Sequence, residues 1–224
     1  FEQCTDTIIR QVGDIGRMVD EFSSFARMPK AVMAREDIAD AVRQAAFLIG
    51  VSQPDIDVSV KIPEGGLEAV CDRRLISQVV TNLVKNATEA ISTECMAENE
   101  TPWITVVLEG DEEQVRLTVT DNGCGLPEEG RRRLLEPYMT TREKGTGLGL
   151  AIVRKIIEDH GGTVYLGDAP QVAEGGHGAS LHVEFPRFGE VGDDRSTGGD
   201  RQSLPRRPAA GQATFTRKPG TQAS

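Results

Sequence analysis

Two glycine-bearing runs constrain this chain more than anything else in it. Asp121-Asn122-Gly123-Cys124-Gly125-Leu126-Pro127 follows the apolar stretch Val115 to Val119, so a carboxylate and a tight glycine turn close a strand. After a long polar interval, Gly145-Thr146-Gly147-Leu148-Gly149-Leu150-Ala151-Ile152 opens a helix with glycines that leave backbone N–H groups bare. A carboxylate can accept a hydrogen bond from an adenine amino group. Unpaired N–H groups at the positive end of a helix dipole attract phosphate. One run suits the base of ATP and the other its triphosphate.

Composition narrows the alternatives. The 224 residues suffice for one ordinary domain and a smaller element. Aromatics make up 4%, so the core must be aliphatic. A net charge of −10 without a dense basic stripe speaks against nucleic acid as a partner. Cys4, Cys71, Cys95 and Cys124 lie far apart, form no CxxC pair and read as single thiols of a reduced setting. With three histidines, a zinc site is not expected. No run is apolar enough to span a bilayer, and no stretch of this sequence is expected to be a signal peptide. Phe1 stands in mid-helix pattern, so the chain reads as a piece of a longer protein.

Along the chain, Ile8, Val12, Ile15, Val19, Phe22 and Ala26 form a heptad seam, expected of a helix in a bundle or coiled coil. It ends at Met28-Pro29. Residues 1–28 are thus one helix of a helical hairpin and 29–36 a linker, with the main domain expected at 37–188. Asp37 is an expected N-cap for a helix to Ile49 that buries Ile38, Ala41, Val42, Ala45, Ala46 and Ile49. Ile56 to Ile62 alternates as a strand, and Leu67 to Cys71 is a second one. Asp72 caps a long helix from Arg73 to about Ser92. Its core face carries Ile76, Val79, Leu83, Ala87 and Ala90. Its other face carries Gln78, Asn82, Asn86 and Glu89. Asparagine is a weak helix former, so two of them one turn apart point to a ligand role, with a solvated polar face as the plain alternative. An amide oxygen suits Mg²⁺, which shares phosphate oxygens and keeps waters.

Trp103 to Glu109 and Gln114 to Thr120 pair as strands around Gly110-Asp111-Glu112-Glu113. Pro127 to Lys144 is long and charged, as lids over active sites are. Within it, Arg142 and Lys144 are placed to meet phosphate oxygens, and Arg131-Arg132-Arg133 reads as a solvated turn of helix. Leu148 to His160 is a helix stopped by Gly161-Gly162, with His160 a helix-end residue rather than a catalyst. Thr163 to Leu166 and Ser180 to Phe185 close the sheet. From Gly189 to Ser224 a third of the residues are Gly, Pro or Ser, so 189–224 is expected to be a disordered tail.

Taken together, Asn82-Leu83-Val84-Lys85-Asn86-Ala87, DNGCGLP, Glu136-Pro137-Tyr138-Met139-Thr140-Thr141 and GTGLGLAI resemble the N, G1, F and G2 boxes of sensor histidine kinases of two-component systems. Order and spacing match from about Arg35 to Pro186. The runs NATEAI and EPYMTTREKGTGLGLAIV are most similar to the nitrogen-regulation type, the NtrY and NtrB group. The resemblance implies an α/β sandwich of the Bergerat (GHKL) kind, a mixed sheet under helices, shared with gyrase and MutL ATPases. It implies ATP and Mg²⁺ as cofactors and transfer of the γ-phosphate to a histidine of the dimerisation hairpin, for relay to a response-regulator aspartate. It further implies a homodimer through that hairpin, a cognate response regulator as partner, and a cytoplasmic portion of a bacterial inner-membrane sensor, reaching the membrane only through N-terminal segments outside this chain.

Residue by residue, the resemblance implies that Asn86 coordinates Mg²⁺ and that Asp121 accepts from adenine, with Gly123 and Gly125 letting the backbone approach. Gly145, Gly147 and Gly149 hold the phosphates, and Thr140, Thr141, Thr146 and Leu148 belong to the same nucleotide-binding set. Tyr138 packs lid against core, and Ser180 touches adenine through water. Many relatives carry Lys or Arg where this chain has Glu89, which shifts the neutralising of the γ-phosphate to Arg142, Lys144 and the metal. The acceptor histidine of the family lies on the first hairpin helix, whereas His160, His177 and His182 all fall in the nucleotide domain. Hydrolytic relatives place a water-activating Glu four residues before the metal-binding Asn. Here that position is Asn82, which cannot serve as a base. A hydrolytic ATPase, an anti-sigma-like serine kinase and a regulatory nucleotide-binding module are the alternatives.

Overall fold

The computed structural model describes residues 5, 12–13, 15–16, 19, 22–23, 26–91, 101–127, 129–140, 145–170 and 177–188. The expected tail, Ile8, Thr141, Arg142 and Lys144 lie outside these. The described residues of the heptad seam are helical, and Val12, Ile15, Val19 and Phe22 stand 48–62% exposed.

Strand β1 (Ala34–Asp37) pairs antiparallel with β3 (Glu68–Cys71) in a small two-stranded sheet. A second sheet holds β2 (Asp57–Lys61), β4 (Trp103–Gly110), β5 (Gln114–Asp121), β6 (Thr163–Asp168) and β7 (Ala179–Pro186) in the order β2-β4-β5-β7-β6. The β2–β4 pair is parallel and the others antiparallel, so the sheet is mixed. Helices α1 (Ile38–Ser52), α2 (Arg73–Ala90) and α3 (Gly149–Asp159) pack on this sheet. Alternation along the strands decides which side they cover. Ile104, Val106 and Leu108 of β4, Val115, Leu117 and Val119 of β5, and Leu181, Val183 and Phe185 of β7 point into one aliphatic core. The core faces of α1 and α2 are buried against them as their spacing predicts.

Both expected caps form. The Asp37 carboxylate accepts from the N–H of Ala39 and, across the chain, from that of Leu67. The Asp72 carboxylate accepts from the N–H groups of Arg74 and Leu75.

Three local readings differ. The stretch read as a linker contains β1, which is held by main-chain pairing that four residues of sequence do not announce. At the edge of the sheet, β2 leaves Val60 exposed instead of inward. Cys124 is disulfide-bonded, against the reading of four single thiols; wide spacing in sequence does not keep two sulfurs apart in space. Cys71 is a free, buried thiol, and burial pushes its pKa up to about 12, with Glu36 and Asp72 adding to the rise.

Candidate functional site

Asp121 is the last residue of β5 and is 1% exposed. Its Oδ1 accepts from the N–H of Gly123 at 2.9 Å, which fixes the carboxylate over the turn. The turn is clamped against the end of α2. A Cβ on Gly123 would lie 2.4 Å from the carbonyl oxygen of Ala90, and the N–H of Cys124 donates to that same oxygen at 2.9 Å. Only glycine fits there. Gly125 follows with φ 72°, the left-handed region that glycine enters without strain. The side chain of Asn122 accepts from the N–H of Trp103 and donates to the carbonyl of Thr101, so β4 braces the same turn.

Helix α2 turns Gln78, Asn82 and Asn86, all half-buried, away from the core, and Glu89 lies on the surface. The Nδ2 of Asn82 is buried without a hydrogen bond. Glu89, whose role was open, stands 3.8 Å from Lys85 Nζ one turn earlier. An exposed pair of this kind contributes little.

The glycine-rich run meets this face. A Cβ on Gly149 would sit 3.7 Å from the amide atoms of Asn86, so the helix start and the asparagine are neighbours with nothing bulky between them. Leu148 is buried in the core and anchors the start of α3, and no side chain caps that helix. Its first N–H groups are therefore offered to an anion rather than to a cap. Thr146 Oγ1 accepts from the N–H of Leu148 at 3.4 Å. Gly145 is half-buried and Thr140 is exposed. Gly147 has φ 68° and is spliced to the preceding turn: its carbonyl accepts from the N–H of Tyr138 at 3.1 Å.

Among its described residues, the polar interval from Pro127 forms one 3-10 helix, Arg131–Leu135. Arg131 is not merely solvated. Its guanidinium bonds both carboxylate oxygens of Asp168, at 2.9 and 2.7 Å, and holds the Asp168 carboxyl below its ordinary value.

Two expectations from the resemblance meet a different geometry. The Tyr138 ring does not pack lid against core; it is 60% exposed and faces Phe22 of the first helix, ring centroids 6.4 Å apart. A φ of 66° at Tyr138 turns the side chain outward from the turn. Ser180 is opposite Thr120 in register, and Thr120 and Asp121 alternate across the sheet. The Ser180 hydroxyl thus lies on the face away from the Asp121 carboxylate. It bonds Thr120 Oγ1 and His182 Nε2, each at 3.0 Å, and His182 Nδ1 continues the ladder to Thr118. Burial holds the His182 imidazole below its ordinary pKa. Neither the ladder nor the Phe22 contact has a signal in the sequence, because each joins residues distant along the chain.

With the carboxylate turn, the asparagine face and the uncapped helix start brought together, comparison with known proteins becomes informative. Residues 71–188 match the family described as histidine kinase-, DNA gyrase B-, and HSP90-like ATPase. The chain belongs to this family. Within this ATPase family it is similar to nitrogen regulation protein NtrY of Azorhizobium caulinodans, 52% identical over 189 residues, which cover 84% of this chain and 24% of that protein. A putative NtrY-like sensor histidine kinase of Rickettsia bellii is 35% identical over 164 residues, 73% of this chain and 26% of that protein. The chain thus spans about a quarter of the length of the curated relatives it matches. Among solved structures, the nucleotide-free catalytic domain of histidine kinase ThkA superposes with a TM-score of 0.60 at 31% identity, covering 70% of this chain and 97% of that one. Histidine kinase ThkA in complex with response regulator protein TrrA gives 0.64 at 25% identity, covering 81% of this chain and 50% of that one. The expected α/β sandwich of the GHKL ATPases is the fold of this chain.

The site's residues fit the nucleotide this family binds. Asp121 presents a buried carboxylate at the end of β5, held by the Gly123 N–H, a group whose chemistry suits the amino group of a base. Asn86 offers an amide oxygen beside the bare start of α3, which suits a hard cation that shares phosphate oxygens.

Proposed function

We propose that this chain is the ATP-binding catalytic part of a two-component sensor histidine kinase of the NtrY-like type. It delivers the γ-phosphate of Mg-ATP to a histidine on a dimerisation hairpin, for relay to an aspartate of a response regulator. The observation that carries the reading is the meeting of Asn86 with Gly149 across 63 positions of sequence, on the helix whose end clamps the glycine turn after Asp121. Asp121 accepts from the adenine amino group. The N–H groups around Gly147 and Gly149 hold the phosphates, with Thr140 and Thr146 at their side. Asn86 would hold Mg²⁺, which would neutralise charge on the transferred phosphoryl group. Arg142 and Lys144 belong to the same proposal, as cations that close on the γ-phosphate.

Phosphoryl transfer needs a placed donor, a metal and an aligned acceptor, and little covalent help from the protein. Asn82 supports kinase over hydrolase, because a neutral amide cannot take a proton from water. His160 and His182 are built into the fold and His177 is an exposed residue of the same domain, which supports an acceptor histidine on the hairpin rather than in the nucleotide domain. The exposed seam Val12, Ile15, Val19 and Phe22 supports a homodimer through the hairpin. The response regulator as partner rests on similarity to ThkA, solved with one. A cytoplasmic position beneath an inner membrane rests on similarity to NtrY; among the described residues no helix is long and apolar enough to cross a membrane.

The test is transfer in trans. Incubated with radiolabelled ATP, Mg²⁺ and a separate polypeptide carrying a complete hairpin, the chain should label that polypeptide in an acid-labile form and remain unlabelled itself. Label retained on the isolated chain, or none on the hairpin, contradicts the reading.

A further inference from the structure

Tyr138 is the one non-glycine residue with positive φ among the described residues, at 66°. A left-handed conformation costs an L-residue roughly 1–2 kcal/mol, so something must hold it there. Two contacts do. On one side the Tyr138 N–H donates to the carbonyl of Gly147, and the two backbones touch so closely that a Cβ on Gly147 would lie 2.6 Å from the Tyr138 carbonyl carbon and 2.8 Å from the Met139 nitrogen. On the other side the exposed Tyr138 ring meets Phe22 with an interplanar angle of 32°. Phe22 is itself half-exposed and belongs to the first helix, not to the sandwich. The residue therefore bridges two parts of the molecule. Its ring touches the helix and its backbone touches the glycine turn that begins the phosphate-binding helix.

We propose that Tyr138 is a positioning residue for the nucleotide, and that Phe22 is its partner. The Phe22–Tyr138 contact carries the placement of the first helix into the Gly147 turn, and through it into the N–H groups at the start of α3. This rests on the reading of that turn as the triphosphate site. The chain of contact is short and stiff: ring to ring, one strained residue, one backbone hydrogen bond, one glycine with no room for a side chain. Among the described residues the ring contact of Phe22 is with Tyr138, so an effect of Phe22 on nucleotide affinity is expected to pass through Tyr138. Tyr138 need not reach the ligand.

The experiment is a double-mutant cycle read by calorimetric titration of the 224-residue chain with a non-hydrolysable ATP analogue and Mg²⁺. Phe22→Ala removes the partner ring. Tyr138→Gly removes the other ring while favouring the positive φ, so the turn itself survives. Each single variant should bind the analogue about two- to tenfold more weakly, the range an aromatic pair supports. The double variant should be no weaker than the weaker single. Melting curves that stay cooperative show that the weakening is not unfolding. Phe22→Leu, which keeps apolar bulk without the ring, covers the case in which the alanine variant fails to fold, and it should fall between parent and Tyr138→Gly. Unchanged affinity in the Phe22 variants, or losses that add in the double variant, overturns the proposal. A parent chain that does not bind the analogue at all overturns the functional reading beneath it, a result distinct from either.

Discussion

The backbone N–H of Asp72 donates to Nε2 of His160 at 3.0 Å, joining the cap of α2 to the end of α3 across 88 positions of sequence. His160 Nδ1 lies 2.7 Å from the carbonyl oxygen of Ile156, so the ring carries its proton on Nδ1 and accepts at Nε2. Asp72 in turn accepts from the N–H of Val32, which ties the segment leaving the first helix to the same point. The two helices that carry Asn86 and Gly149 are thus pinned together by a neutral imidazole. Replacing it by a ring that cannot accept, His160→Phe, leaves the Asp72 N–H buried and unpaired, at a cost of about 1–3 kcal/mol. The melting temperature should fall by several degrees, while the folded variant still binds ATP. A melting temperature equal to the parent's contradicts this role.

Asp37 and Asp72 set the acid limit of the fold. The N–H of Leu67 is the main cause that lowers Asp37, with burial opposing and Ala39 assisting. At Asp72 burial pushes upward but is outweighed by Arg74 and by the N–H groups of Val32, Leu75 and Arg74. Both carboxyls end below their ordinary value of 3.8. A depressed carboxyl contributes stability that is whole above the unfolded value and is lost as pH falls through the folded one. Thermal melts should therefore drop below about pH 4, and Asp37→Asn with Asp72→Asn should flatten that drop while lowering stability at neutral pH. A parent and variant with parallel pH profiles would count against it.

Gly149 and Gly123 should respond to alanine in opposite ways. At Gly149 a Cβ makes ordinary contact with Asn86, and alanine is the better helix former by about 0.8–1 kcal/mol. Gly149→Ala should melt higher and, on the proposed reading, bind Mg-ATP more weakly, because the methyl would stand beside the Asn86 amide where phosphate and metal would bind. At Gly123 the methyl would collide with the Ala90 carbonyl, so Gly123→Ala should melt lower. Paired melts and titrations decide it; a Gly149→Ala protein that binds as tightly as the parent removes that glycine from the phosphate site.

These glycines also show what could be read before the fold was known. DNGCGLP and GTGLGLAI announced a glycine turn at a strand end and an uncapped helix start because local chemistry suffices: a carboxylate, glycines, no capping side chain. Asp37 and Asp72 were legible as caps for the same reason, and the core face of α2 follows from its period. Contacts that depend on tertiary meeting were not legible. Nothing near Ser180 says that its hydroxyl lies across the sheet from Asp121, since a one-residue shift reverses a strand face. The resemblance implied that Tyr138 packs lid against core, and a backbone angle that no sequence pattern signals accompanies its contact with Phe22. The four residues of β1 are too few to show a period.

Position 82 separates kinase from hydrolase. The parent should release phosphate slowly, because Asn82 offers water no base. Asn82→Glu places a carboxylate one turn before Asn86, and steady-state release should rise by about tenfold or more, within the range of general-base catalysis. Fast release by the parent, unchanged by the substitution, favours an ATPase cycle instead.

On the proposed reading, Asp121 accepts from the adenine amino group of a Mg-bound ATP. Calorimetric titration of parent and Asp121→Asn with a non-hydrolysable ATP analogue tests it most directly, with circular dichroism of both to establish the fold. Loss of a charge-assisted hydrogen bond in so buried a site costs about 1.5–3 kcal/mol, more if the partner is stranded, so binding should weaken at least tenfold while the spectra coincide. Equal affinities in two equally folded proteins would contradict the account.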